Sequence, residues 1–349
     1  MIVMPRRLGV SVSALLSLSL AFPTFAEQKP LSVKEDAPTT YTVVKGDTLW
    51  DISAMYLDSP WLWPRLWQVN PDIDNPHLIY PGDRLSLIWR DGHPVLSLKP
   101  MVKLSPKVRV LEKEAVSTVN AGLVLPYIES DRLLSASELD ASPRVLGASD
   151  GKKYLSNQGL LYISGEHQVK TWTIYRPLEE YQRDEHTVVA LKKIATAELQ
   201  ESQPQFSGLN VVTQSQEVMV DDIALPDVDV EMHSLSTTFY PVPTPKESFA
   251  NILGSLEGSQ YVGQNQVVIL DRGEKDQLRQ GSMFELYSQG VEVSIEGDDS
   301  DDARLPDTRV GNLMVIRPYP YFSLALVTES TEPVGKETIL KSPLIHESQ

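Results

Sequence analysis

The chain has 349 residues, a formal net charge of −16 and no cysteine. Its length allows two or three domains, and its acidic balance argues against a nucleic-acid partner, whose phosphates attract Lys and Arg. Without cysteine there is no disulfide framework, no thiol-linked lipid and no thiolate chemistry.

Residues 1–26 carry Arg6-Arg7, an apolar run from Leu8 to Leu20 and the small-residue site Thr24-Phe25-Ala26. That pattern predicts a secretory signal peptide cleaved after Ala26, the apolar run being short for a bilayer span. Loss of Arg6 and Arg7 takes the net charge from −16 to −18, because these residues include no acid. No later run is long and apolar enough for a transmembrane segment. Residues 27–40 are polar, with Pro30 and Pro38, and read as a flexible tether.

Tyr41-Thr42-Val43-Val44 is β-branched and aromatic, which predicts a strand, and Lys45-Gly46-Asp47 turns it. Asp47 or Thr48 can cap the next helix, on which Leu49, Ile52, Ser53 and Tyr56 recur at helical spacing. Ser59-Pro60 and Trp63-Pro64 both offer a start for a second helix. Pro64 is favoured, because it keeps Leu66, Trp67 and Val69 inside the helix and ends it at Asn70-Pro71. Ile73, Leu78 and Ile79 lead back, Pro81-Gly82-Asp83 turns, and Leu85, Leu87 and Ile88 form a closing strand. Five of the six tryptophans, Trp50, Trp61, Trp63, Trp67 and Trp89, lie in or beside this stretch. A unit this small needs large aromatics to bury enough surface. Trp67 reads as core, while Trp61 and Trp63 fit either surface contacts or a lid on the core.

Asp91-Gly92-His93-Pro94 breaks the chain, and residues 91–120, spaced by Pro94, Pro100 and Pro106, read as an extended linker. Residues 121–226 form a first unit. It opens with a small α/β piece, Leu125-Pro126-Tyr127-Ile128 and Ser137-Glu138-Leu139 as helical turns around a Leu133-Leu134 strand. Strands follow at Gly159–Ser164, Lys170–Tyr175, Val188–Leu191, Ile194–Leu199 and Gly208–Thr213. Residues 227–246 are rich in Asp and Pro and read as a second linker. Residues 247–349 form a second unit, with strands at Val267–Leu270, Met283–Tyr287, Leu313–Ile316 and Leu324–Val327. Its Gly-bounded connections suit a small closed barrel, in which closure removes exposed edges.

A weak internal repeat relates the two units. Val212-Thr213-Gln214-Ser215-Gln216-Glu217 aligns with Val327-Thr328-Glu329-Ser330-Thr331-Glu332. Each copy is preceded by Phe206 or Phe322 and followed by Ile223-Ala224-Leu225 or Ile339-Leu340. Upstream, Ile174-Tyr175 aligns with Leu286-Tyr287. The corner Arg317-Pro318-Tyr319-Pro320-Tyr321-Phe322 is either packing or an exposed protein contact. The acidic run ending in Asp298-Asp299-Ser300-Asp301-Asp302 lacks the glycine and distal Glu of a calcium loop and reads as solvated.

The stretch from Tyr41 to Ile88 resembles the LysM family in Tyr41-Thr42-Val43, Gly46-Asp47-Thr48-Leu49, Ile52, Asn70-Pro71, Ile79-Tyr80-Pro81-Gly82 and Leu85. The resemblance implies a βααβ domain over residues 41–90, with two helices on one face of a two-stranded antiparallel sheet. It implies binding of N-acetylglucosamine-containing glycan, peptidoglycan in bacteria, in a shallow groove between two loops. The glycan-binding residues it implies are Gly46, Asp47, Thr48, Leu49, Asn70, Ile79, Tyr80 and Pro81. Backbone groups would bond the acetamido group, with Ile79 or Tyr80 as an apolar wall for its methyl. The segment from Leu57 to Pro64 departs from the family pattern, being longer and richer in tryptophan.

No catalytic or metal constellation accompanies this motif. His77, His93, His167, His186, His233 and His346 are scattered without ligand spacing. No Gly-x-Ser-x-Gly elbow or phosphate-cradling loop is present. The expectation is a non-enzyme without cofactor or metal. The whole chain resembles the type IV pilus secretin-associated LysM proteins of Gram-negative bacteria. The residues concerned are Leu104-Ser105-Pro106-Lys107-Val108-Arg109, Tyr162-Ile163-Ser164-Gly165, Tyr175-Arg176-Pro177, Leu305-Pro306-Asp307-Thr308-Arg309-Val310-Gly311 and Ala325-Leu326-Val327. Gln277 stands where a glycine is expected in the turn after Asp276. The tail of that family is related to a flagellar basal-body protein. The resemblance implies a periplasmic protein near the outer membrane, with peptidoglycan and an outer-membrane secretin as partners. A flagellar ring and a LysM-targeted wall hydrolase are the alternatives. The fold expected is α+β, a small LysM domain followed by a mostly β region of two related units.

Overall fold

The computed structural model describes residues 31–67, 79–99, 121–125, 127, 132–148, 159–227, 239–256, 258–294 and 302–344. The signal peptide, the Asn70-Pro71 stop and most of the acidic run lie outside the described residues. The first elements are β1 (Thr40–Thr42), α1 (Leu49–Tyr56), a 3-10 turn at Pro60–Leu62, α2 (Trp63–Trp67), β2 (Arg84–Arg90) and β3 (His93–Lys99). β1 pairs antiparallel with β2 through Tyr41↔Leu85. The helices close over Leu49, Ile52, Tyr56, Trp63, Leu66, Trp67, Ile79 and Leu85 as one core.

Three of the expected linkers carry structure. Residues 31–40 are not a free tether: Leu31, Val33 and Ala37 pack on this first core, and Val33 bridges to Leu57. Residues 93–99 are β3, paired with β2 from Arg84↔Lys99 to Arg90↔His93, so the sheet has three strands. Asp91 and Gly92 turn that hairpin with φ of 51° and 79°. Asp-Gly between alternating apolar residues is the sequence signal of such a turn, because both central residues need positive φ. In the third stretch, β11 (Val242–Pro243) lies parallel to Ser282–Met283. The second helical segment uses both candidate prolines. Pro60 opens the 3-10 turn and Pro64 sits in the first turn of α2.

The first β unit follows α3 (Ala121–Leu125), β4 (Arg132–Ser135) and α4 (Ala136–Ala141). Its strands are β5 (Val145–Ala148), β6 (Leu161–Ser164), β7 (Thr171–Arg183), β8 (His186–Ser202), β9 (Phe206–Gln214) and β10 (Ile223–Pro226). Val188–Leu191 and Ile194–Leu199, expected as two strands, are parts of β8. The second unit has β12 (Ile252–Ser255), β13 (Val267–Leu270), β14 (Ser282–Ser288), β15 (Glu292–Ser294), β16 (Asp302–Arg304), β17 (Thr308–Pro318), β18 (Ser323–Ser330) and β19 (Ile339–Lys341).

The units repeat one strand path. The first runs β10-β7-β8-β9-β6-β5, and the second runs β19-β14-β17-β18-β13-β12. Four β-bulges recur at matching places: Val145/Gly147 with Ile252/Gly254, Ile174/Tyr175 with Leu286/Tyr287, Thr196/Ala197 with Asn312/Leu313, and Leu199/Glu201 with Val315/Arg317. These registers correct the alignment read from sequence by one residue. Ala197↔Val211 corresponds to Leu313↔Val327, so Val211 matches Val327 and Val212 matches Thr328. A one-residue slip puts side chains on the wrong face. Accordingly Val212 is 57% exposed whereas Val327 is fully buried. The other aligned pairs are in register: Ile223 pairs with Tyr175 as Ile339 pairs with Tyr287. Phe206 and Phe322 precede Ser207 and Ser323, both fully buried. Ser207 Oγ donates to the Gly165 carbonyl at 2.8 Å, as Ser323 Oγ does to that of Arg272.

Where β7 turns into β8, the hairpin runs on as an arm against the second unit. At its tip Arg183 donates to both Asp276 oxygens at 2.5 and 2.8 Å and to the Tyr321 carbonyl at 3.1 Å. The His186 ring stacks on Tyr321 with centroids 3.5 Å apart, and Tyr181 hydroxyl donates to the Ser255 carbonyl at 3.0 Å. The Leu133 N–H donates to Tyr319 hydroxyl at 3.0 Å. The aromatic-proline corner is thus the socket for this arm, which settles it as packing. Burial pushes the Asp276 carboxyl up, but Arg183, the Gly273 N–H and Arg272 outweigh it and hold the carboxyl below its ordinary value. Gln277 does take the conformation that favours glycine, with φ of 65°.

Candidate glycan-binding site

Two four-residue turns of one design meet at the end of the three-stranded sheet. In Val44-Lys45-Gly46-Asp47, the Asp47 carboxylate accepts from Val44 N–H at 2.8 Å, and Asp47 N–H donates to the Val44 carbonyl at 3.3 Å. In Tyr80-Pro81-Gly82-Asp83, Asp83 accepts from Tyr80 N–H at 3.0 Å and donates to the Tyr80 carbonyl at 3.0 Å. The glycines have φ of 101° and 97°, and a Cβ at either would meet nothing within 4 Å. Backbone conformation, not space, demands glycine at both places.

Val43 clamps the turns together. Its N–H donates to the Asp83 carbonyl at 2.9 Å, and its carbonyl accepts from Gly82 N–H at 2.7 Å. Tyr41 hydroxyl donates to Asp47 at 2.9 Å, tying the first turn to β1. Burial first, and then this bond to Asp47, push the Tyr41 hydroxyl pKa up.

The implied site residues divide by what their side chains already do. Thr48 is the N-cap of α1: its hydroxyl accepts from Asp51 N–H at 3.0 Å and donates to the Asp51 carboxylate at 2.7 Å. Asp47 is occupied as described. Leu49 and Ile79 are fully buried in the core. Ile79 therefore cannot serve as the apolar wall, because its side chain faces inward, and Thr48, Leu49 and Ile79 can offer a ligand only backbone, while Asp47 keeps its second carboxylate oxygen. Pro81, Lys45 and Val44 are exposed, and Tyr80 is half-buried. Asn70 lies outside the described residues. Asp83 was missed as a shaping residue. The signal was the second Gly-Asp pair, Gly82-Asp83, repeating Gly46-Asp47.

The tryptophan-rich segment faces away from this role. Trp63 is fully buried, packs edge-on against Trp67 with centroids 6.2 Å apart, and stacks on Tyr240 at 5.3 Å. Trp61 belongs to a core shared with Phe239, Met283, Ile316 and Phe322 of the tail. Residues that sequence left open between surface and lid thus join the small domain to the second β unit. Trp89, by contrast, is 64% exposed at the far end of β2.

Among the described residues, no cluster of His, Asp and Glu is arranged to hold a metal ion. No helix among them is long and apolar enough to cross a membrane.

Residues 41–87 match the LysM domain family. An 81-residue stretch is 36% identical to the uncharacterized protein YqbP of Bacillus subtilis (strain 168). That match covers 19% of this chain and 37% of YqbP, so the chain spans well under half of that relative. LysM is a binding domain for peptidoglycan and related carbohydrate, carried here at the head of an α+β chain whose remainder is mostly β.

Proposed function

We propose that this chain is a non-catalytic periplasmic adaptor that ties an outer-membrane secretin of the type IV pilus system to peptidoglycan. The glycan would lie across the paired turns, with the backbone of residues 45–49 and 79–82 bonding the acetamido group and Tyr80 covering its methyl. Such a shallow site gives modest affinity by itself. Copies arrayed on a ring-shaped pore would multiply it by avidity. The observation that carries the adaptor reading is the seat of Trp61 and Trp63 in the tail. It packs the domain that carries the turns against the strand-built half, as an adaptor requires. The secretin as partner, and the Gram-negative periplasm as its place, rest on the resemblance of the tail segments.

Deleting the whole domain would strip Trp61 from the tail core, so the test uses point variants. Tyr80→Ala combined with Gly82→Val should reduce pelleting with purified sacculi about tenfold, a loss of roughly 1.4 kcal/mol. Co-purification with the secretin from solubilised envelopes should persist. Unchanged pelleting would put the glycan elsewhere. Recovery of flagellar ring components in place of the secretin would favour the other machine, and sustained release of muropeptides by the pure protein would make it a hydrolase.

A further inference from the structure

A cleft lies where the two β units meet, between β4 and α4 of the first unit, the end of the β7–β8 arm and the aromatic corner of the second unit. Its volume is about 790 Å³, and small-ligand sites occupy roughly 300–1,000 Å³. Its charges are sorted by depth. Arg317 is 7% exposed, and the Arg132 Nε–H is buried with no acceptor among the described residues. Glu138 and Glu185 are exposed at the mouth, and Glu138 is already engaged by the Ser135 N–H at 3.0 Å and by the Ser135 hydroxyl. The remaining titratable side chain, His186, is stacked on Tyr321. Two permanent cations thus stand inside a chain whose net charge is −16.

Both cations are held in place. β4 pairs with β8 at Arg132↔Leu191, and the Arg132 guanidinium carbon lies 5.0 Å over the ring of the buried Tyr175. Arg317 follows a β-bulge opposite Leu324, with its guanidinium carbon 5.1 Å over the Tyr319 ring. Burial pushes the Tyr175 hydroxyl up and both Arg132 and Arg317 act against it, so both cations stand near one hydroxyl. Asp227, which also acts on that hydroxyl, accepts from the Thr173 hydroxyl at 2.7 Å.

The duplication shows that the barrel does not itself require these side chains. The registers Arg317↔Leu324 and Glu201↔Gly208 put Glu201 at the place of Arg317, and Gln203 and Gln205 at those of Tyr319 and Tyr321. Accordingly Tyr319 N–H donates to the Phe322 carbonyl at 2.8 Å, as Gln203 N–H does to that of Phe206 at 2.8 Å. The two tyrosines are explained by the arm they receive. The orphaned donor of Arg132 is not, and an ionised group withdrawn from water is costly unless it is bonded.

We propose that this cleft binds an apolar carboxylate, the free C-terminal residue of a peptide or a small carboxylic acid of like shape, with Arg132 donating to the carboxylate and Arg317 as a second positive charge. A guanidinium matches a carboxylate in both plane and charge. Leu133, Leu134, Val188 and Phe322 supply an apolar wall for the ligand body. The glutamates at the mouth repel further negative charge, which selects a monocarboxylate over a phosphate. This site goes beyond the adaptor role, and its test involves neither sacculi nor secretin.

The test is calorimetric titration of the full chain with N-acetyl-leucyl-phenylalanine, the amide of that dipeptide, 3-phenylpropionate and inorganic phosphate. Both free acids should bind, the dipeptide acid roughly tenfold or more tightly than its amide. Binding should shift one arginine Nε–H resonance, the one that Arg132→Gln removes from the NMR spectrum. The same variant, with its fold checked by circular dichroism, should bind the acid roughly tenfold more weakly. A dipeptide acid that binds more tightly than 3-phenylpropionate makes the ligand a peptide terminus, and one that binds no more tightly makes it a small carboxylic acid. Failure of both acids to bind, equal affinity for acid and amide, or phosphate binding as tight as the acid would each overturn the proposal. The comparison of acid with amide uses the wild-type chain, so it decides the matter even if Arg132→Gln does not fold.

Discussion

The two β units share a six-strand path, its register and four bulges, yet diverge at the same two places. Where β7 meets β8, the first unit extends an arm that the second unit grips. At the corresponding turn the second unit carries the acidic β15–β16 hairpin, in which Arg304 and Glu292 approach to 3.6 Å. Where the ring closes, the first unit has backbone bonds from Val145 to Asp221 and Asp222 and from Ala224 to Pro143 that lack counterparts among the described residues of the second, whose sheet ends are joined by the Val262–Val334 pair. Bulges set where a sheet bends, so they are fixed by the shape of the barrel. Hairpin tips and seams lie outside that constraint and are free to be spent on contacts.

One direct way to break the comparison is Gly311→Ala. Position 311 corresponds to Ala195 in the first unit, which tolerates a methyl, but a Cβ on Gly311 would lie 2.0 Å from the Glu329 carbonyl oxygen. Thermal unfolding should reveal a loss of about 3 kcal/mol, while Ala195→Gly should cost only about 1 kcal/mol.

Trp63→Ala probes the joint between the small domain and the tail. It should cost about 3–5 kcal/mol by denaturant titration. Tyr240→Ala should cost less, because Tyr240 is 46% exposed, and should free the LysM domain to tumble faster by NMR relaxation.

Arg183→Ala and Asp276→Asn should each cost about 1–3 kcal/mol, and a double-mutant cycle should find them strongly non-additive. The Asp276 carboxyl is held below its ordinary value of 3.8. Its contribution is therefore present in full above that value and is lost as pH falls through the lowered one. The stability gap between wild type and Asp276→Asn should be constant near neutrality and vanish in acid. A gap that widened on acidification would sink the assignment. The smallest effect is expected from Gln277→Gly, which relieves a left-handed non-glycine residue and should raise stability by about 0.5 kcal/mol.

The sequence by itself determined the local chemistry. Gly46-Asp47 and Gly82-Asp83 specify their turns through positive φ and a side-chain acceptor. Thr48 specifies a cap, and the alternation of Val267–Leu270 and Leu324–Val327 with turns specifies a strand-built tail. Those features act over a few residues, so adjacent letters carry them. What the tertiary structure alone decided is where long-range partners sit. Nothing in the letters told whether Trp61 and Trp63 face solvent or the tail, because an aromatic ring satisfies either side. The repeat was visible, but its register was misplaced by one residue. A bulge inserts a residue without leaving a mark in composition, and only the paired strand reveals the count. Ile79 was legible as apolar and illegible as inward-facing, since the direction of a side chain is set by the core that forms around it.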